Sequence, residues 1–460
     1  MRFFQIVDLS MFISNPCIAE RLCSGYNKKR ITLNFWRQAA GQKGMVIIMR
    51  KIKIGVIGLG GRGLGLLKDA ILPRENVEVI ALSDLYQDRM EDAAKAVEEI
   101  SGITPELHRD YHEILQMESV EAVVIPAAWE AHIPIAIEAM RAGKIVGCEV
   151  GGAYSVKDCW ELVKTQEQTG TPCMMMENCC YGREELMALN MSKKGVLGSI
   201  IHCQGGYHHD LRDEISFGRE NRHYRLRNYM NRNCENYPTH ELGPIAKILN
   251  INRGNRMISL TSTASRAAGL NEFLQREKGN DYDITNFPFA QGDIITTVIK
   301  CAHGETIVLT LDTTLPRFYS RGFEVRGTKG MFTEDTRSIF LDGVHNQYDF
   351  DWKPMWNNIE EYRKEYEHPI WRKNLEDGVR GGHGGMDWLE FDAFFTAIEE
   401  NRPMPVDVYD MAAWMAITPL SEQSIATGLP QAVPDFTNGL WTMREKEPCW
   451  HFGLSSICEE

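Results

Sequence analysis

Residues 51–57 alternate apolar Ile52 and Ile54 with polar Lys51 and Lys53, then run unbroken through Val56 and Ile57. A period of two that turns wholly apolar predicts the first strand of a parallel sheet buried on both faces. The signature returns at residues 77–83, 120–128, 144–150 and 171–177. Between these runs the period lengthens toward a helical one, as at residues 133–142 and 156–169, so strand and helix alternate from residue 51 to about 178. That order predicts a doubly wound parallel sheet. After a helix over 184–194 the period of two resumes at 200–207, 294–301, 306–312 and 323–326, which predicts a second, α+β domain built on a largely antiparallel open sheet. Two helices, 386–400 and 409–427, flank Pro403 and Pro405.

The turn after the first strand carries the first chemistry. Gly58, Gly60 and Gly63 fit G-x-G-x-x-G, with Arg62 among them, and the strand at 77–83 ends in Asp84, about 20 residues further on. Such glycines permit a tight turn, backbone approach to a pyrophosphate, and close packing of the following helix, while the acid accepts hydrogen bonds from the adenosine ribose. The N-terminal fold is therefore a Rossmann domain, and NAD is favoured over NADP because Asp84 would repel a 2′-phosphate. Arg89 is the nearby group that would suit such a phosphate. Ligands of these sheets lie beyond the carboxyl ends of the strands. The rule picks out Trp129, Glu130, Ala131 and His132 after one strand, Glu149 and Val150 at the end of another, and Asn178 after the last. Trp129 as a core cap and Asn178 as a helix cap are the plain structural alternatives.

Length and charge narrow the picture. A chain of 460 residues predicts two domains, and a formal net charge of −13 argues against a general nucleic-acid or anionic-membrane partner. The twelve cysteines form no C-x-x-C pair and read as reduced core residues. Residues 1–48 keep no sustained period and no uninterrupted apolar core of a signal peptide, since Asp8 and Asn15 interrupt it. With Met45 and Met49 just before the first strand, the expectation is that translation starts there and that 1–48 lies outside the fold. The expected division is then 49–178 for the NAD-binding domain, 179–445 for a substrate-binding sheet domain, and 446–460 for a tail. No signal peptide is evident, which favours a cytoplasmic location.

The richest polar stretch, residues 207–240, holds Tyr207, His208, His209, Asp210, Arg225, Arg227, Tyr237 and His240. Its polarity predicts an exposed surface or the lining of a cleft. Tyr237 and His240, three apart, share one side of a helical turn. Histidine suits proton transfer near neutral pH, whereas a tyrosine needs a neighbouring cation, for which Arg225 is the candidate. A purely structural Tyr-Pro-x-His turn is the alternative. His208, His209 and Asp210 resemble metal ligands, but adjacent residues on a strand point to opposite faces, so no metal is expected. His383 among glycines and Asp387 read as a loop and first turn of a helix, and residues 360–367 as a solvated helix.

The order of these pieces resembles the glucose-fructose oxidoreductase and inositol dehydrogenase (Gfo/Idh/MocA) superfamily over roughly residues 51–445. Its ordinary dehydrogenases carry Glu-Lys-Pro where this chain reads Glu149-Val150-Gly151, and the missing lysine points to different chemistry. The runs Trp129 to His132, Glu177-Asn178 with Cys180-Tyr181-Gly182-Arg183, Gly205-Gly206-Tyr207 with His209-Asp210, Tyr237-Pro238-Thr239-His240, and Leu249-Asn250-Ile251-Asn252-Arg253-Gly254 resemble glycoside hydrolase family 109, the NAD-dependent N-acetylgalactosaminidases. Gly382-His383-Gly384-Gly385-Met386-Asp387 and Pro434-Asp435-Phe436-Thr437-Asn438-Gly439 fit as well.

The resemblance implies a glycosidase that oxidises the sugar at C3 through NAD, eliminates the aglycone, adds water and restores the hydride. It implies Tyr237, His240 and Glu149 as catalytic residues, Tyr207, Arg225, Tyr237, Pro238, Thr239, His240 and Tyr319 as substrate contacts, and homo-oligomers. The cofactor contacts expected are Gly58, Gly60, Arg62, Gly63, Asp84, Trp129, Glu130, Ala131, His132, Glu149, Val150, Asn178 and Tyr237. A sugar or cyclitol dehydrogenase with net redox turnover is the competing enzyme, and a nucleotide-binding regulator the competing non-enzyme.

Overall fold

The computed structural model describes residues 50–444 and 450–454. The extension expected to lie outside the fold, and most of the expected tail, fall outside those residues. Strands β1 Ile52–Ile57, β2 Val77–Ser83, β3 Glu106–His108, β4 Ala122–Ile125, β5 Ile145–Glu149 and β6 Cys173–Met176 form one sheet in the order β3-β2-β1-β4-β5-β6. Every pairing in it is parallel. All residues of β4 and β6 are buried, as expected of strands covered on both faces. The order reverses between β1 and β4, which opens a crevice at the carboxyl ends of those strands.

The second sheet takes β7 Ile200–His208, β8 Met257–Ala264, β9 Ile294–Cys301, β10 Thr306–Asp312, β11 Glu324–Gly327, β12 Gly330–Thr333, β13 Ser338–Leu341 and β14 Gln431–Ala432 in the order β13-β12-β11-β7-β10-β9-β8-β14. It is antiparallel except for β7 against β10. In β9 every second residue, such as Ile295 and Ile299, is buried while Thr296, Val298 and Lys300 between them are exposed, so one face is covered and the other open.

Three expectations change. The helix expected over 133–142 begins at Trp129, so Trp129 to His132 are its first turn and not a loop beyond the strand. The helix expected over 409–427 is two, Val408–Met415 and Ile417–Thr427. Pro419 supplies the reason, because its ring cannot accept a continuous helix past the Met415 carbonyl, and that carbonyl instead takes the Ala153 N–H at 3.1 Å. The helix Ile359–Tyr366 is not merely solvated: Ile359 and Arg363 are buried, and Glu367 just beyond it is held at 2.6 Å by Arg183. Every cysteine among the described residues is buried and free. No helix among them is long and apolar enough to cross a membrane.

Candidate active site

The glycine turn leaving β1 is tight on one side and bare on the other. Gly58 has φ 106°, and a Cβ there would come within 2.7 Å of the Ala127 backbone. A Cβ on Gly60 would meet only the Arg89 guanidinium, at 3.5 Å. Such a turn leaves open the side from which a pyrophosphate approaches. Asp84 stands at the end of β2, where one carboxylate oxygen accepts the Leu59 N–H at 2.7 Å and the other accepts the Tyr86 N–H at 3.0 Å. A carboxylate offers about four lone-pair sites, so capacity remains for ribose hydroxyls. Arg89 donates to the carbonyls of Asn221 and Arg222 at 3.2 and 3.3 Å and is occupied there.

Arg62 leaves the glycine turn toward the end of β5. Its Nε donates to Glu149 at 3.0 Å, and its two Nη atoms donate to Asp387 at 2.8 and 3.0 Å. Asp387 also accepts from Asn178 at 2.7 Å and lies 2.8 Å from His383 Nδ1. Burial pushes the Glu149 carboxyl up in pKa, with Arg62 acting against it. For Asp387 burial pulls the same way, but His383 and Arg62 outweigh it and hold the acid well below the usual range. Thus Asp387, expected to serve only its own helix, also holds Arg62, 325 positions away along the chain. Val150 is buried, and the next residue, Gly151, has φ 153° with the Trp129 ring where a Cβ would lie, 2.4 Å away. A proline cannot take that backbone angle, so the Glu-Lys-Pro of ordinary dehydrogenases has no room here.

The other wall comes from the helix Thr239–Ile248 and the end of β7. Tyr237, just before the helix, and His240, in its first turn, have ring centroids 4.7 Å apart, and Tyr207 lies 4.4 Å from Tyr237 and 5.3 Å from His240. Trp129 stands 5.5 Å from Tyr237. Arg225 lies over this group, 4.9 Å from the Trp129 ring, 5.2 Å from Tyr237 and 5.8 Å from Tyr207. Its Nε is 2.9 Å from Glu214, while Nη1, buried, finds no hydrogen-bond partner among the described residues. Burial and Tyr207 keep the Tyr237 phenol protonated far above its ordinary pKa, against the pull of Arg225. His240 Nδ1 lies 2.8 Å from Oε1 of Glu177, a fully buried residue.

Other expected residues fall at the edges. Tyr319 is half exposed, its ring 5.1 Å from that of His209, which in turn pairs with the Tyr207 hydroxyl at 2.9 Å. Glu130 is ion-paired with Arg227, and Thr239 and His132 are buried. His132 lies 2.9 Å from the Ala127 carbonyl, and burial lowers its pKa to about 4, so it is neutral and holds the turn after β4. Ala131 is partly buried, and Pro238 precedes the helix that carries His240. Asp210 is held by two bonds from Arg212, at 2.8 and 2.7 Å, apart from the histidines beside it. Glu177 went unrecognised, although a charged residue closing an apolar buried strand was itself a signal.

Comparisons with known proteins agree with this geometry. Residues 52–177 match the oxidoreductase family with an NAD-binding Rossmann fold, and residues 181–443 match the C-terminal domain of glycosyl hydrolase 109. A glycosyl hydrolase family 109 protein of Stenotrophomonas maltophilia is 40% identical over 421 residues, covering 86% of this chain and 91% of its own. An alpha-N-acetylgalactosaminidase of Tannerella forsythia is 36% identical over 418 residues, covering 86% and 88%. Among solved structures, a levoglucosan dehydrogenase in complex with NADH and levoglucosan shares the fold at TM-score 0.63 and 18% identity, over 84% of this chain and all of that one. A Rossmann half built for NAD, joined to the hydrolase family's own second half and matched along most of its length, makes this chain a glycoside hydrolase of family 109.

Proposed function

We propose that the enzyme hydrolyses terminal N-acetylgalactosaminides, α-linked ones first, by oxidation at C3, elimination, water addition and re-reduction, with Tyr237, His240 and Glu149 as its catalytic residues. The substrate class follows the 36% identical alpha-N-acetylgalactosaminidase of T. forsythia. One observation carries the chemistry: a histidine held by a buried carboxylate faces two tyrosines at the carboxyl end of an NAD-binding sheet.

Bound NAD+ would supply a temporary acceptor for the C3 hydride, later returned to the same carbon, with the C3 hydroxyl proton leaving to solvent in the oxidation and coming back from solvent in the return. With C3 a ketone, the neighbouring C2–H is acidic, and His240 takes that proton through Nε2. The C–H electron pair moves onto the C3 oxygen, where the protonated Tyr237 hydroxyl donates a hydrogen bond, and then returns to expel the aglycone oxygen from C1. Water adds its oxygen to C1 and its proton goes to the departing oxygen, while His240, whose Nε2 proton has exchanged with solvent, gives a proton back to C2. This route replaces the paired carboxylates of most glycosidases. Arg225 Nη1 binds the acetamido carbonyl, Tyr207 and Tyr319 flank the sugar, and Glu149, steadied by Arg62, faces the nicotinamide end.

The test is to incubate the purified enzyme with p-nitrophenyl N-acetyl-α-D-galactosaminide in D2O without added NAD. Nitrophenol release with deuterium at sugar C2 is the expected result. Release without deuterium, or NADH accumulating from free sugars or cyclitols with no release, overturns the reading.

A further inference from the structure

Glu177 follows β6 at the carboxyl end of the NAD-binding sheet and is 0% exposed. Its Oε1 accepts the Cys179 N–H at 3.2 Å and faces His240 Nδ1 at 2.8 Å. Burial alone would raise its pKa, yet His240, Thr239 and the Cys179 N–H outweigh burial and hold it below the ordinary value, so the group is a carboxylate. A carboxylate can only accept, and therefore the proton between the two residues sits on Nδ1. In the neutral ring Nε2 then carries the free lone pair, which is the form a base requires.

The packing around Glu177 is specific to this pairing. Gly243, one turn beyond His240 on the same helix, has no side chain, and a Cβ there would come within 2.9 Å of Glu177 Cγ and 3.0 Å of Cys180 Sγ. The bare position lets the helix lie close enough for His240 to reach the carboxylate. Asn178, the next residue, donates to Asp387 at 2.7 Å, and Asp387 in turn holds Arg62. Adjacent residues of the chain thus serve the proton-transfer side and the cofactor side of one cleft.

We propose that Glu177 is a positioning residue for the reaction: through Nδ1 it fixes the tautomer and plane of His240, and its charge stabilises the imidazolium that forms when Nε2 takes a proton. The assignment rests on the proposed role of His240. Nothing is oxidised in this step, since one proton moves from the sugar to Nε2 while the proton on Nδ1 stays where it is. The arrangement is the base and orienter pairing that recurs in proton-transfer sites on unrelated folds.

The test uses Glu177→Gln, Glu177→Asp and Gly243→Ala in the full chain, with rates expressed per NAD-loaded active site. Glu177→Gln keeps an acceptor but removes the charge, and its kcat should fall about 100-fold with KM changed no more than about threefold. The acidic limb of its kcat/KM profile should move to lower pH, because an imidazolium without its carboxylate gives up its proton more readily. Glu177→Asp restores the charge one methylene short and should recover about tenfold of that loss. Gly243→Ala should lower kcat with the same KM, since it forces Glu177 from His240. A Gln variant with the wild-type pH profile and kcat, or one whose loss matches a loss of folded protein and is not eased in the Asp variant, overturns the positioning role alone. A wild-type enzyme that releases no nitrophenol and exchanges no C2 hydrogen overturns the reading of His240 and the role of Glu177 with it.

Discussion

The helix Thr239–Ile248 has two polar ends, and they are built on opposite plans. At its C-terminal end Lys247 donates to Asp410 at 2.7 Å and to the Pro405 carbonyl, and Arg253 in the following turn reaches both Asp410 oxygens at 2.9 Å and Asp407 at 2.8 Å. Asn252 adds a bond to Asp410 at 3.2 Å. Every charge there faces a counter-charge, and Lys247, Asn252, Arg253 and Asp410 are buried, with Asp407 partly so. At the N-terminal end His240 has one nitrogen engaged, and Arg225 has a guanidinium nitrogen without a partner among the described residues. Both ends are dense in charged and polar residues, and both belong to runs that resemble the hydrolase family. Satisfaction separates them: a buried network whose partners are complete holds structure together, whereas one with donors left over beside a crevice is prepared for a ligand.

That contrast can be broken by substitution at either end. The largest effect belongs to His240→Ala, expected to lower kcat about 1000-fold and to abolish C2 deuterium incorporation while the thermal midpoint stays close to wild type. Asp410→Asn should do the reverse. Losing the charge between Lys247 and Arg253 should cost about 3–5 kcal/mol in denaturant unfolding, with kcat per folded molecule unchanged. Arg225→Lys should raise KM about 10- to 100-fold for the N-acetyl sugar, because a charge-assisted bond to the acetamido carbonyl is misplaced, and the penalty should shrink for a substrate without that group.

The smallest effect concerns Glu235, buried two residues before Tyr237, with Oε2 unpartnered among the described residues. Burial, only partly offset by the Tyr237 N–H, pushes its pKa up to about 8. The folded protein then holds one more proton than the unfolded chain between the ordinary carboxyl range and pH 8, so this group's contribution to stability falls as pH rises through that window. Glu235→Gln should flatten that slope in unfolding curves measured across the range.

The N-terminal sheet was legible because its evidence is local. Gly58, Gly60, Gly63 and Asp84 lie within one strand-turn-helix-strand unit, and β1 and β2 repeat the apolar pattern that parallel strands require. Among the strands that escaped notice, β3 has three residues, two of them exposed, β14 has two, and β8, though eight residues long, does not keep a strict alternation of buried and open positions. The bend before Ile417 was hidden because the apolar period passes through Pro419 without a break. Within the site, Tyr237, His240 and Arg225 stood out as a cluster of reactive types. The partners that orient them did not, because the link from Glu177 to His240 spans 63 positions and that from Arg62 to Asp387 spans 325. Pairings at such range leave no periodicity to read, and Asp387 looked like an ordinary first-turn acid.

The clasp of Arg62 on Asp387 and Glu149 bears on residence time. It joins the glycine turn after β1 to the helix Met386–Glu400 through several charge-assisted bonds, so the two can part only as those bonds break. A dehydrogenase must exchange its nucleotide on every cycle, and a latch of this kind would throttle it. An enzyme that lends a hydride and takes it back has no such need, and for it a slow door is an asset: the coenzyme can stay aboard while sugars come and go.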